Sequence, residues 1–280
     1  MEWGRIKTVL ICLFLVINLF LGASLWRLQR EKYQIASNLL DDVVEVLETK
    51  QIEIDRSLVP QNRIVMRGFL FLPPNEGYDQ AAERLLGGCE KTQEEATTVF
   101  TSGQNKLEFL GQSDVFFEGL WQQYKYTFDV EGAQKVAQSF LNTLCDNELD
   151  FFLVRSTYDP VEKTYHMEYG QELENIDILN ARIRIDVNQE GVAKAVGTVV
   201  YTACYPYERG RLSDSFDFLL KYPLQEEIRQ AGEVEITGIQ PVYHIAKRDA
   251  VDVLYAGWKI TAKDQAPIIF NAMTGERIKS

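Results

Sequence analysis

Histidine, cysteine and signature glycines are what this chain has least of. It holds two histidines in 280 residues, His166 and His244. Both fall in alternating, strand-like stretches, where a half-buried imidazole with a hydrogen-bond partner is the ordinary state. HExxH, GxxxxGKS/T, GxGxxG, GxSxG and SxxK are all absent. Zinc-peptidase, nucleotide-binding and acyl-enzyme chemistries therefore lack their starting residues. Of the four cysteines, Cys12 lies in an apolar run, and Cys89, Cys145 and Cys204 are far apart with neither a CxxC nor a metal-type spacing. An odd number outside the run argues against a disulfide framework and for free thiols that pack as small hydrophobes. No catalytic, cofactor-binding or metal-ligating residue is expected, and no cofactor.

A basic excess is also missing. The chain has 29 Lys and Arg against 41 Asp and Glu, a formal charge of −12. The first thirty residues run the other way, with Arg5, Lys7, Arg27 and Arg30 against Glu2 alone. Residues 31–280 are left with 25 basic and 40 acidic groups, a net of −15. An acidic body behind a basic collar excludes broad contact with nucleic acid, whose phosphates need a positive surface. An apolar fraction of 46% is that of a folded protein rather than a disordered one.

One long hydrophobic run is present. Thr8 to Trp26 is nineteen residues without a charge. As a helix it would be about 28 Å long, close to the ~30 Å hydrocarbon core of a bilayer. Trp3 and Trp26 bracket it, where interfacial aromatics are expected. A cleaved export signal is the rival reading: Arg5 and Lys7 precede an apolar stretch, and Gly22-Ala23-Ser24 offers small residues of the cleavage-site kind. Apolar character resumes at Leu25-Trp26 and basic residues follow at once, which favours a retained anchor. Lys and Arg number two before the run and three soon after it, so charge bias leaves orientation open. On a helical wheel Thr8, Cys12, Asn18 and Gly22 share about a third of the circumference. A mid-membrane amide seeks a partner, and small residues let another backbone approach, so these four are the candidate partner-helix contact.

Beyond the run, periodicity predicts helices over 32–50, 78–86, 131–146, 213–220 and 224–231. Alternation and turn residues predict strands in QIEIDRSLVP and RIVMRGFLFLPP, and hairpins around Ser102-Gly103-Gln104-Asn105, Asp159-Pro160, Asn188–Gly191 and Asn271–Gly275. Helix followed by antiparallel strands, twice, is an α+β pattern. Carboxylate pairs occur at Asp41/Asp42, Glu94/Glu95, Asp146/Glu148/Asp150 and Glu226/Glu227. An anchored hydrolase would need two of them across a cleft; solvated helix ends are the plainer account. Tyrosines on strands (Tyr124, Tyr126, Tyr165, Tyr169, Tyr201, Tyr205, Tyr207, Tyr243, Tyr255) suit either a protein-contact face or ordinary strand preference.

Two stretches carry a family resemblance. One is the start, with Trp3, basic Arg5 and Lys7, a single span, and a helix leading into VVEVLETKQIEIDRSLVP. The other is the end, GWKITAKDQAPIIFNAMTGERI. With the chain length, they resemble the YycI (WalI) family, single-pass regulators of the WalK/YycG sensor histidine kinase of Gram-positive bacteria, related to YycH. The resemblance implies a cytoplasmic tail at 1–7, a transmembrane helix at 8–26, and an extracytoplasmic domain. It also implies association with the kinase and a YycH-like protein, cell-wall homeostasis as the setting, and no catalysis. The pattern divides the ectodomain into α+β modules at 27–130 and 131–280. A cleaved, secreted binding protein remains the third reading.

Overall fold

The computed structural model describes residues 3–33, 37–71, 77–94, 97–111, 113–123, 125–145, 149–200, 204–206, 210–248 and 251–278. The architecture is α+β, mostly sheet, with six α-helices among the described residues. The apolar run lies in α1 (Trp3–Tyr33), and the next helix is α2 (Ser37–Glu48). In α2, Leu40, Val43, Val44 and Leu47 are buried while Asp41, Asp42, Glu45 and Glu48 face solvent, the one-sided pattern their spacing dictates. α3 (Gly77–Leu86) ends at Gly87, whose φ of 67° terminates a helix without the penalty a side chain would bring. α4 (Val130–Leu144) starts at Asp129, whose carboxylate accepts the Gly132 amide at 2.7 Å. α5 (Phe216–Lys221) and α6 (Glu226–Ala231) are short.

The strands are β1 (Ile52–Ile54), β2 (Ile64–Met66), β3 (Phe69–Phe71), β4 (Glu90–Glu94), β5 (Thr97–Ser102), β6 (Asn105–Leu110) and β7 (Asp114–Trp121), then β8 (Asp150–Asp159), β9 (Thr164–Leu173), β10 (Ile176–Asn188) and β11 (Gly191–Thr198). β12 (Cys204–Pro206), β13 (Arg211–Ser213), β14 (Val234–Arg248), β15 (Val251–Ala262), β16 (Ile268–Asn271) and β17 (Arg277–Ile278) follow. One sheet runs β12-β3-β15-β14-β10-β11-β7-β6-β5-β4, with β9 and then β8 joined to β10, β1 to β14, and β16 and then β17 to β15; β13 and β2 pair separately. The four expected hairpin turns are all present. At the last, Asn271 Oδ1 accepts the Met273 and Thr274 amides at 2.8 and 3.1 Å. RIVMRGFLFLPP departs from expectation: its apolar run splits at Arg67-Gly68 into β2 and β3, which pair with different strands. Ser213 belongs to β13 rather than to the helix, which starts at Phe216.

Buried side chains gather into two cores, and the grouping is nested. One core draws on both ends of the folded body: Leu40 to Leu47 of α2, Ile52, Met66, Phe69, then Phe216 to Ala272, with Trp258 and Tyr243 fully buried in it. Trp258 donates its indole N–H to Ser213 Oγ at 2.9 Å and stacks near Phe218. The other core lies between Tyr78 and Val199 and packs α3 and α4 on β5–β7 and β9–β11. A division at 130/131 runs through this second core.

β10 joins the two. Its early residue Ile178 pairs in parallel with Tyr243 of β14, while Ile183 to Asn188 pair with β11. At the change of neighbour the β9–β10 register slips between Ile178 and Arg182. A strand that changes neighbours leaves peptide groups without a ladder partner, and side-chain amides fill in. Asn180 accepts the Ile245 N–H and donates to its C=O, both at 2.8 Å. Gln171, fully buried, does the same for Val200, at 2.6 and 2.9 Å. A further side-chain bond spans distant parts of the chain, from Ser113 Oγ to the buried Asp252 carboxylate at 2.9 Å.

Two outcomes follow for stability. Gln171→Leu keeps the volume but removes both bonds to Val200; a loss of about 2 kcal/mol is expected, read as a melting temperature roughly 4–8 °C lower. His244 lies on β14 with its Nδ1 buried and without a hydrogen-bond partner among the described residues, and burial lowers its pKa below 6.5. As pH falls the unfolded chain takes up this proton first. The stability held above pH 6.5 therefore declines from there and is fully lost once pH has passed the folded value. The melting temperature should fall between pH 7.5 and 5.5, and fall less in His244→Gln; equal slopes would show that another group governs the decline.

Candidate functional site

Three places were expected to carry chemistry or contact: the polar stripe of the apolar run, the carboxylate pairs, and the strand tyrosines. The first is formed as a surface. α1 holds leucine, isoleucine, valine and phenylalanine with no proline, so nothing interrupts its backbone ladder. Within it, Leu10–Leu28 is long and apolar enough to cross a membrane, and none of that window is buried against the rest of the chain. It starts and ends two residues later than the expected 8–26. Apolar side chains are exposed on every side, with Phe14 at 58%, Leu19 at 67% and Phe20 at 71%. An N-terminal helix of this kind is either a single span or an export signal.

Thr8, Cys12, Asn18 and Gly22 all lie on α1 and all are exposed. At 100° per residue they occupy one third of its circumference. A Cβ built on Gly22 would meet nothing within 4 Å. Nothing in this chain's own packing therefore requires glycine there, although glycine costs a helix about 1 kcal/mol relative to alanine.

The carboxylate pairs are solvated where they are described. Asp41, Asp42, Glu94, Asp150, Glu226 and Glu227 are all exposed; Glu95, Asp146 and Glu148 lie outside the described residues. The fold makes an acidic grouping that chain order conceals: Glu48, Glu53, Asp55 and Glu235 line an open groove of about 600 Å³ between α2, β1 and β14. Glu53 and Glu235 meet there because β1 and β14 pair in parallel. Asp55 is held below the usual carboxylate range by the Ser57 amide and hydroxyl, and Lys263 lies 3.5 Å from Glu235. All four carboxylates are exposed, the setting of a solvated acidic surface.

The tyrosines are divided rather than presented together. Tyr169 and Tyr243 are core residues, and burial raises the phenol pKa of both, Tyr169 to about 12. Tyr126, Tyr165 and Tyr255 are half-buried and Tyr205 is exposed; Tyr124, Tyr201 and Tyr207 lie outside the described residues. A small aromatic group does form at one end of the sheet, where Tyr158 and Tyr165 sit 4.8 Å apart with Phe128 against both. Tyr158 had drawn no attention in the sequence. Cys12, Cys89 and Cys145 are free thiols, with Cys145 fully buried and its pKa raised by that burial. Of the two histidines, His244 is set in β14, whereas His166 meets three carboxylates near the β8–β9 turn: Glu162, Asp186 and Asp159.

No family model matches this chain, and no curated protein matches it. Among solved structures, a crystal structure of an uncharacterized protein from Eubacterium rectale ATCC 33656 is similar over 89% of this chain and 99% of that one, with 11% identity and a TM-score of 0.48. At that score the likeness carries no argument about function.

Proposed function

We propose that this chain is a non-catalytic, membrane-anchored regulator of a WalK/YycG-like sensor histidine kinase. Its N-terminus lies in the cytoplasm and its folded body outside the cell membrane, where a YycH-like protein joins the complex. The reading rests on the resemblance of both chain ends to the YycI family and on one structural observation, the fully exposed apolar surface of α1 with its polar, small-residue stripe. Lipid satisfies the apolar surface. It does not satisfy the Asn18 amide, which a neighbouring helix can. Gly22 offers that helix a place for close backbone approach. The energetic demand on such a regulator is small: favouring one kinase state by about 1–3 kcal/mol changes its population ratio by roughly 5- to 150-fold.

Crosslinking in intact membranes and identification of the captured partner test the reading. A sensor kinase is the expected capture. Asn18→Leu should weaken recovery of the kinase from detergent by about 3- to 20-fold, the span of measured interhelical polar contacts. Unchanged recovery would remove the stripe from the contact. A mature N-terminus near Leu25 would show that α1 is cut away and that the body acts alone.

A further inference from the structure

The tip of the β8–β9 hairpin gathers three residues that share no sequence signature. Asp159 ends β8, Glu162 lies in the turn, and His166 is the third residue of β9. One ligand atom from each lies within 4.8 Å of the others. We propose that Asp159, Glu162 and His166 bind a divalent transition-metal ion of the zinc type, with Asp186 as a positioning residue.

The imidazole has a carboxylate at each ring nitrogen. His166 Nδ1 is 2.7 Å from Asp186 Oδ1. Arg184, which only donates, also reaches Nδ1 with its terminal nitrogen at 2.9 Å; an ion bound on Nε2 would set the proton on Nδ1 toward Asp186 and turn the exposed Arg184 side chain aside. Nε2, the other ring nitrogen, faces Glu162 at 3.9 Å. A carboxylate behind one ring nitrogen, with the other left to ligate, is the arrangement that orients metal-binding histidines.

Register builds the arrangement: His166 and Asp186 are direct cross-strand partners on β9 and β10. Asp159 is held independently, because its Oδ1 accepts the Val161 and Glu162 amides at 2.7 and 3.1 Å. Its second oxygen is left for an ion. The 3.9 Å between Nε2 and Glu162 Oε2 is too long for a hydrogen bond. It is a few tenths of an ångström beyond the roughly 3.4 Å that separates two ligands of a tetrahedral zinc with bonds near 2.1 Å. The Glu162 side chain is 67% exposed, so it can close that gap without moving the core.

Charge agrees with a divalent ion. Arg184 donates from Nε to Asp186 at 3.0 Å, and its terminal nitrogen lies 2.9 Å from His166 Nδ1. The Arg184 and Asp186 charges offset each other. Asp159 and Glu162 then supply two carboxylates beside the imidazole. Mixed imidazole and carboxylate ligands select zinc and its neighbours over magnesium or calcium, which take oxygen alone. Three protein ligands leave water to complete the shell.

The test uses the full-length protein in detergent, without a polyhistidine tag and stripped with chelator, titrated with zinc chloride by calorimetry. One saturable site per chain is expected. His166→Gln and Glu162→Gln should each weaken it at least tenfold, and Asp186→Asn about 10- to 100-fold. Glu162 is exposed, so its variant reports on binding without disturbing the fold. Cobalt(II) should give visible ligand-field bands that change in Asp186→Asn while the metal-free melting temperature stays at the wild-type value. That separates a positioning role from a merely structural one. Binding weaker than about 100 μM in the wild type would overturn the proposal. So would wild-type affinity in both His166→Gln and Glu162→Gln, or an equal loss in His244→Gln.

Discussion

The sheet depends on how β10 satisfies its backbone as it passes from one neighbour to another. A buried strand cannot leave peptide groups unmade, since each costs on the order of 1–3 kcal/mol when stranded. Where β14 gives way to β11, no uninterrupted ladder is geometrically available, because β14 is parallel to β10 and β11 antiparallel. Asn180 and Gln171 resolve the mismatch by offering amides of the same donor–acceptor pattern as a peptide. Through them two cores with separate helices share one continuous sheet. α2 packs into the core that also holds the last strands, so the part of the body that follows the apolar helix is built from both ends of the folded region.

α1 poses a different problem. Its apolar side chains face outward all round, so no contact among the described residues removes them from water. Each leucine, isoleucine or phenylalanine near a bilayer centre gains roughly 0.3–0.6 kcal/mol on insertion. Against that sum the one amide of Asn18 is affordable, and its cost falls further when a partner helix takes the hydrogen bond. The exposed apolar surface and the polar stripe thus concern two separate energies. In a bilayer, the first would select the environment and the second a neighbour within it.

Local pairing was legible in the sequence and long-range pairing was not. β5–β6, β8–β9 and β10–β11 are hairpins whose strands are adjacent in the chain and whose turn residues announce themselves, so alternation alone located them. The pairings of β1 with β14, β3 with β15 and β10 with β14 bring together segments far apart in the chain, which no local pattern encodes. The nested cores follow from those pairings, which is why the helix-then-strands rhythm pointed to consecutive modules. The stripe on α1 could be read because a helix fixes its own geometry. The partner of His166 could not. Counting back from the Leu173↔Ile176 pair would set His166 opposite Ile183, and only the slip between Ile178 and Arg182 moves Asp186 into that place. An irregularity that serves the backbone at the hand-off also decides which side chain meets the imidazole.

Charge and length together determine how α1 is presented. Thirty-one residues make a helix of about 46 Å, some 16 Å more than the hydrocarbon of a bilayer takes up. The basic residues Arg27, Arg30 and Lys32 follow the apolar window or close it, where headgroup phosphates are available to them. The body beyond them carries the acidic excess, and an anionic lipid surface repels it. In an anionic bilayer, attraction at the collar and repulsion beyond it would hold the body off the surface with α1 inserted. Among the described residues nothing covers the face bearing Thr8, Cys12, Asn18 and Gly22, and none of Leu10–Leu28 is buried. A helix left uncovered by its own body is open to a neighbour along its whole apolar length.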